Sequence, residues 1–454
     1  MQNFSAATLI FATSLLTPLV ALHATAVPKP NILIILTDDQ GRADYSAAGT
    51  PDIRTPNIDR LGREGMIFQN FFANSSVCSP SRAALLTGCY PDRVGVPGVI
   101  REQSPNNSWG FLLPSAQLLP QLLKPAGYHT AIIGKWHLGI GSPNTPNERG
   151  FDLFHGFLGD MMDSYTTHLR AGQNLMRRNT ETIDPQGHAT DVFTTWACDY
   201  LREQVKTAKP FLLYLAYNAP HEPIQPPQEW LTRVQQREPG MNPKRAKLVA
   251  LIEHLDDGIG KVLNTLDQTG LAANTLVIFT SDNGGLLSSG ANNGPWRGTK
   301  GDVYEGGLRV PGLARWPGRI KPNSTTERMT LTMDIFPTTC EAAGVTPPTG
   351  IDGVSFVPAL TGSDESSPKR DCYFVRREGG KKYQGKTIQA LRHGDWKILQ
   401  NTPDTPLELY NLRLDPKEAT NLANKDNQTF KELAAALSRQ MQIGSQTPWQ
   451  NPHQ

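Results

Sequence analysis

The 454-residue chain predicts an α/β fold: a mostly parallel sheet sandwiched by helices, followed by a small α+β subdomain at the C-terminal end. Three observations carry this. Short, continuous apolar runs end in polar or acidic residues, as strands buried on both faces do. Segments of helical period lie between them. Beyond residue 368 the pattern changes to short alternating runs and a final helical segment.

The opening residues, MQNFSAATLIFATSLLTPLVALHATA, precede the fold. An apolar stretch over residues 6–22 leads into Ala24-Thr25-Ala26, the small-x-small pattern of a signal-peptidase site. The expectation is a signal peptide over residues 1–26 and an exported protein, periplasmic or secreted. A membrane anchor is the competing reading, since the first Lys is Lys29. Pro18 and the short apolar length argue against stable membrane insertion.

Four strands are expected from NILIIL before Thr37-Asp38-Asp39, AII before Gly134-Lys135, FLLYLAY before Asn218, and LVIFTS before Asp282-Asn283. Helices are expected over residues 115–126, 190–205 and 244–268. Strand and helix in alternation argue for parallel pairing. Residues 346–368 are rich in Pro, Gly and Ser and read as a boundary, giving a main domain over 27–355 and a C-terminal subdomain over 356–454. In the subdomain, CYFVRR, KTIQALRHGDWKILQ and PLELYNL read as antiparallel strands, and residues 430–442 as a terminal helix.

Charge is nearly balanced, with 44 Lys plus Arg against 42 Asp plus Glu and no basic block. Nucleic acid is therefore not an expected partner. Five cysteines without C-x-x-C spacing indicate neither a zinc site nor a disulfide framework. The odd number leaves at least one thiol unpaired in the monomer, buried or chemically altered, and Cys78 is the candidate for alteration.

In open parallel sheets, function collects beyond the carboxyl ends of the strands. Asp38, Asp39, Lys135, His137, His221, Asp282 and Asn283 all fall there. Either acidic pair alone also reads as an Asx turn or a helix cap. Together they offer three carboxylates and an amide oxygen, a hard-oxygen set suited to Ca²⁺ or Mg²⁺ and unsuited to zinc. Lys135 and His137 flank Trp136, and in an extended segment both face one side. A surface lysine and a core histidine are the alternative. His221 in NAPHEP and Lys300 in PWRGTKG sit in Gly- and Pro-dense loops that present a polar side chain on fixed backbone.

SVCSPSRAALLTG, residues 76–88, resembles the first signature of the type I, formylglycine-dependent sulfatases, whose core is C-x-P-S-R. GYHTAIIGKWH, residues 127–137, resembles the second. The Asp38-Asp39 pair, PHEP, SDNGG and TKGDVYEGGLRVP follow in the order that family shows, so the resemblance spans about residues 30–421. It implies an alkaline phosphatase-like fold and hydrolysis of sulfate monoesters.

The resemblance also implies residue roles. Cys78 is oxidised by formylglycine-generating machinery to an aldehyde that hydrates to a diol. One hydroxyl attacks sulfur, and the other, once deprotonated, expels the sulfate held on residue 78. Asp38, Asp39, Asp282 and Asn283, with the altered Cys78, hold one divalent cation, Ca²⁺ by resemblance and Mg²⁺ by the same oxygen set. Arg82 steadies the ionised diol through its fork of donors. Lys135 and Lys300 neutralise the sulfuryl oxygens. His137 is the base that triggers elimination, and His221, with Lys300, the acid for the leaving alcohol. Ser164, in MMDSY, is weighed for a sulfate-binding hydroxyl but stands outside this set.

The motifs are most similar to the N-acetylgalactosamine-6-sulfatase and arylsulfatase A-like branch, which points to a sulfated carbohydrate, with small aryl sulfates as artificial substrates. Residues 160–178 and 376–386 supply charged loops for a sugar site, or simply solvated loops. The rival readings are a phosphonate or phosphate ester hydrolase of the same superfamily and a catalytically silent carbohydrate-binding protein on this scaffold.

Overall fold

The computed structural model describes residues 1–2, 29–101, 108–207, 209–363, 366, 370–379 and 385–450. The signal-peptide segment, apart from its first two residues, lies outside the described residues, as do residues 380–384 of the second charged loop.

Four parallel strands form the centre of a ten-stranded mixed sheet: β1 (Asn31–Thr37), β2 (His129–Lys135), β3 (Phe211–Ala216) and β4 (Thr275–Ser281), in the order β4-β1-β3-β2. Every residue of β1, β3 and β4 is buried, which is why their sequences are unbroken apolar runs rather than alternating ones. Antiparallel strands lie further out on both sides, with Gly312–Arg315 against β4 and Met176–Arg178 against Leu153–Phe157.

Register matters most for function. Thr37 pairs with Ser281, Leu36 with Ala216, and Ala216 with Gly134. The strands therefore end level, and Asp38, Asp282 and Lys135 emerge at one height although they are up to 244 residues apart. Gly134 is required here. A Cβ on it would lie 1.9 Å from the carbonyl oxygen of Ala216, and its φ is +103°.

The helix α1 (Cys78–Thr87) begins at the signature cysteine, and all ten of its residues are buried. Pro80 fits its first turn, where no intrahelical N–H is needed. Gly88 ends it in the left-handed region at φ 71°, donating back to Ala84. The helices α2 (Ala189–Gln204) and α3 (Pro243–Gln268) follow the expected bounds closely, capped by the His188 ring and the Asn242 amide oxygen. The helix expected over 115–126 shrinks to Leu119–Leu123, because a Pro at each end and a turn at Gly127 stop it.

The strands β5 (Asp371–Arg377), β6 (Thr387–His393), β7 (Trp396–Gln400) and β8 (Glu408–Asn411) form an antiparallel sheet, covered by α4 (Asn427–Ser445). Their core includes Leu391, Ile398 and Leu437, but also Phe72, Val303 and Leu308 from earlier in the chain. Phe356 and Leu360 pack instead with the large sheet, Phe356 edge-on to Phe68. Among the described residues, no helix is long and apolar enough to cross a membrane.

A buried ion network ties the C-terminal sheet to the short helix Glu305–Leu308. Lys397 of β7, fully buried, donates to Glu305 at 2.9 Å and lies 2.8 Å from Glu418. Arg309 and Arg392 close on the other oxygen of Glu305. Removing only the lysine leaves two buried carboxylates short of a counter-charge. Lys397→Met should therefore lower unfolding stability by roughly 3–5 kcal/mol, read from urea midpoints. An unchanged midpoint would show that Arg309 and Arg392 suffice.

Candidate active site

The level strand ends carry the charged groups into one buried cluster. Asp38 follows β1, Asp282 follows β4, and Lys135 closes β2. Lys135 Nζ donates to Asp38 Oδ2 at 2.5 Å, and the Cys78 thiol points at Asp38 Oδ1, 3.5 Å away. Arg82 sits one helical turn after Cys78, on the same face of α1. It sends Nε and Nη2 to Asp282 Oδ2 at 3.1 and 2.8 Å, and Nη1 to the Lys135 carbonyl at 3.2 Å. Its Nη2 also lies 3.4 Å from Asp38 Oδ2.

Asp39 takes a left-handed backbone conformation, φ 65°, which Asp tolerates better than most residues. Its carboxylate accepts from Lys300 Nζ at 2.7 Å and from Asn283 Nδ2 at 2.8 Å. Lys300 also reaches His221 Nε2, at 2.9 Å. Since the Glu222 carbonyl can only accept, the contact of 2.7 Å at His221 Nδ1 places a proton there and leaves Nε2 to receive the lysine.

The same logic fixes His137. Its Nε2 lies 3.0 Å from the Ile100 carbonyl, so Nε2 carries the proton. Its Nδ1 is buried and has no hydrogen-bond partner among the described residues. The strand ends before it, at φ 59°, so extended alternation is not what presents it. That part of the sequence reading is corrected: His137 is placed by a left-handed turn.

Electrostatics follow from burial and pairing. Burial raises the Asp38 carboxyl, but Lys135, His221 and Arg82 together hold it below its ordinary value. Burial likewise opposes ionisation of Asp39, and Lys300 with His221 outweighs it. Asp282 moves the other way, pushed up by burial and by the Asp38 charge. Burial drives the Cys78 thiol far above the usual thiol range, outweighing the nearby Lys135 and Lys300 charges. His137 is held well below its ordinary value by burial, then by Lys135 and Arg82.

The donor set fits a hard divalent cation. Asp38, Asp39, Cys78 and His221 each offer a ligand atom, all within 4.8 Å of one another. Asn283 Oδ1 is buried without a hydrogen-bond partner among the described residues, an orphan acceptor beside three carboxylates. An ion accepting lone pairs satisfies it. The structure thus brings together all ten residues singled out from sequence: Asp38, Asp39, Cys78, Arg82, Lys135, His137, His221, Asp282, Asn283 and Lys300. Ser164 is engaged in a local turn with Thr166 and Thr167.

Sequence reasoning missed a second group, His188, Asp191 and His254, whose ligand atoms also lie within 4.8 Å. Both His188 nitrogens are committed, one to the Gln225 carbonyl at 3.0 Å and one to the Thr190 N–H at 3.2 Å. It serves as a cap and a support. No local motif signals it, because 63 residues separate Asp191 from its His254 partner.

Similarity to known proteins extends over nearly the whole chain. The family model described as Sulfatase matches residues 30–345, and one described as N-sulphoglucosamine sulphohydrolase, C-terminal, matches residues 299–446. N-acetylgalactosamine-6-sulfatase of Canis lupus familiaris is 34% identical over 400 residues, covering 83% of this chain and 73% of that protein. Arylsulfatase A of Homo sapiens is 32% identical over 482 residues, covering 95% and 90%. The crystal structure of Ps i-CgsB superposes with a TM-score of 0.84 at 30% identity, covering 93% of this chain and 95% of the other. The large sheet with its small antiparallel companion is the alkaline phosphatase-like arrangement of these neighbours. The matches favour sulfate-ester hydrolysis over phosphonate or phosphate ester hydrolysis and over a silent scaffold.

The depressed His137 has a measurable consequence. Above about pH 6.5 the ring is neutral in both states. As pH falls below that, the unfolded chain takes up a proton that the buried ring resists, so stability declines. In metal-free protein, wild type should lose up to about 1.4 kcal/mol per pH unit more than His137→Gln, in urea midpoints between pH 7 and pH 5. Identical slopes would contradict a buried neutral ring.

The aligned strand ends, the charged cluster and the whole-chain similarity lead to one conclusion: this chain belongs to the sulfatase family, enzymes that hydrolyse sulfate esters.

Proposed function

We propose that the protein is an exported carbohydrate sulfatase whose Cys78 is matured to formylglycine by dedicated machinery and whose acidic rim holds one divalent cation, Ca²⁺ in preference to Mg²⁺. The observation that carries this reading is the position of Cys78. It sits at the first turn of α1, buried, 3.5 Å from Asp38, with its thiol pushed away from ionisation. As a buried, un-ionised thiol the residue is a weak nucleophile. As a hydrated aldehyde it supplies a hydroxyl for attack on sulfur and a second hydroxyl for release.

Asp38, Asp39, Asp282 and Asn283, with the altered residue 78, would hold the cation, which supplies Lewis-acid polarisation of the sulfuryl group and favours ionised hydroxyl. Lys135 and Lys300 now neutralise Asp38 and Asp39. With those carboxylates committed elsewhere, the two ammonium groups are left to face sulfuryl oxygens, where charge grows in the transition state. The amino end of α1 adds its own positive potential at residue 78.

His137 has the tautomer a base needs, with Nε2–H tied to Ile100 and Nδ1 bare. It takes the proton from the remaining hydroxyl at residue 78. The Lys300–His221 pair, 2.9 Å apart, delivers a proton to the leaving sugar oxygen. Arg82, pinned by Asp282 and the Lys135 carbonyl, fixes α1 and therefore residue 78.

A carbohydrate substrate is supported by the N-acetylgalactosamine-6-sulfatase relatives and by Ps i-CgsB crystallised with k-i-k-neocarrahexaose, at 29% identity. Export is supported by residues 1–26 alone, and N-terminal sequencing of the secreted protein tests it.

The reading is tested by desulfation of a panel of defined sulfated galactose and N-acetylgalactosamine sugars. Matured wild type should release sulfate, with a mass shift at residue 78. Cys78→Ala should lose at least about a thousandfold, as removal of a covalent nucleophile does. Release from aryl phosphonates alone, or undiminished turnover in Cys78→Ala, would refute it.

A further inference from the structure

We propose that Tyr165 is a positioning residue for the proton-delivering pair: its phenol holds the backbone that carries His221, and so sets how well the enzyme expels poor leaving groups. The inference rests on the acid role proposed above for His221.

Tyr165 lies in the charged loop that follows Asp160, with 1% of its surface exposed. Its hydroxyl is 2.8 Å from the Asn218 carbonyl and 2.8 Å from the His221 carbonyl. Both acceptors are backbone oxygens, so the phenol is the donor, one proton shared between the two ends of a tight turn. That turn is closed by the His221 N–H on the Asn218 carbonyl, 3.0 Å. It is tied to the acidic rim by the Asp38 N–H, which donates to Ala219 at 3.1 Å. The phenol thus sits behind the segment that joins a candidate cation ligand to the candidate acid.

The tyrosine is itself held from three directions. Its N–H donates to the Gln225 side chain at 3.0 Å, and its carbonyl accepts from Ala189 at 2.7 Å. Its ring stacks on His188, with centroids 4.9 Å apart and planes 20° from parallel. His188 in turn holds the Gln225 carbonyl, and His254 packs edge-on against it while holding Asp191 at 3.0 Å. The second histidine cluster thereby finds a use as the buttress of this phenol. Burial, Asp38 and Asp39 keep the phenol protonated, as a donor must be.

A positioning role predicts a bias that simple packing does not. Aryl sulfates leave as weakly basic phenolates and need little protonation, whereas sugar and alkyl sulfates leave as strongly basic alkoxides and depend on the acid. Tyr165→Phe keeps the ring, its stacking and its volume, and removes only the donor. On a sugar sulfate its kcat should fall about tenfold to a hundredfold, with KM little changed, while aryl sulfate turnover falls no more than about threefold. Installing p-aminophenylalanine at 165, which restores a donor, should return most of the lost sugar-sulfate rate.

If Tyr165→Phe lowers the yield of folded protein, Gln225→Leu loosens the same tether from outside and should show the same bias more weakly. Equal losses on both ester types, or no loss on either, would overturn the inference while leaving the hydrolase reading intact. A matured wild type inert toward both esters would overturn the two together.

Discussion

Three carboxylates and three cations are buried together where the central strands end, and the rest of the molecule is arranged around keeping them there. Asp38, Asp282, Arg82 and Lys135 are sealed from solvent, Asp39 nearly so, and Lys300 is partly buried. Isolated charges in such a place are very costly. Here each is met by an opposite partner, and the formal sum is zero. The parallel register is what makes the meeting possible: shifting β1 against β4 by one residue would turn Asp38 toward the opposite face of the sheet. The fold thus sets the site through strand alignment, and loops complete it.

Balanced charge also explains the apparent contradiction of a lysine hydrogen-bonded to a candidate cation ligand. Lys135 and Lys300 hold Asp38 and Asp39 in their ionised forms, ready for a harder cation. Among the described residues, the Asn283 oxygen and the His137 Nδ1 are two of the buried rim atoms left without a hydrogen-bond partner, with Asn218 Oδ1 and Gln40 Oε1 beside them. The first two are acceptors, one suited to a metal and one to a proton. Buried acceptors left without partners are expensive to maintain, and these lie where the central strands end. The Tyr165 buttress belongs to the same economy of placement: a phenol, two histidines and a glutamine side chain lock the turn bearing His221.

Much of this was legible in the sequence because the informative features are local. A C-x-P-S-R turn, a GKWH run, and acidic pairs closing apolar runs are each read within a dozen residues. The central strands and the helices α2 and α3 were equally plain, since unbroken apolar runs and long periodic segments survive tertiary context. The helix at Leu119–Leu123 is shorter than its apolar spacing suggests, because spacing says nothing about where flanking turns intervene. His137 was expected in extended backbone, whereas a left-handed residue sits there, which no periodicity reveals. The His188–Asp191–His254 group and the phenol of Tyr165 were invisible for a different reason. Their meaning lies in contacts between segments tens of residues apart, through backbone carbonyls that carry no sequence signal.

Convergence of these residues on one divalent ion is tested most directly by calorimetric titration of chelator-stripped protein with Ca²⁺. One ion should bind per chain, and Asn283→Leu, which deletes the orphan oxygen while approximating the side-chain volume, should weaken the affinity at least about tenfold. Absence of any Ca²⁺ or Mg²⁺ binding to folded wild type, or undiminished one-to-one binding in the variant, would contradict it.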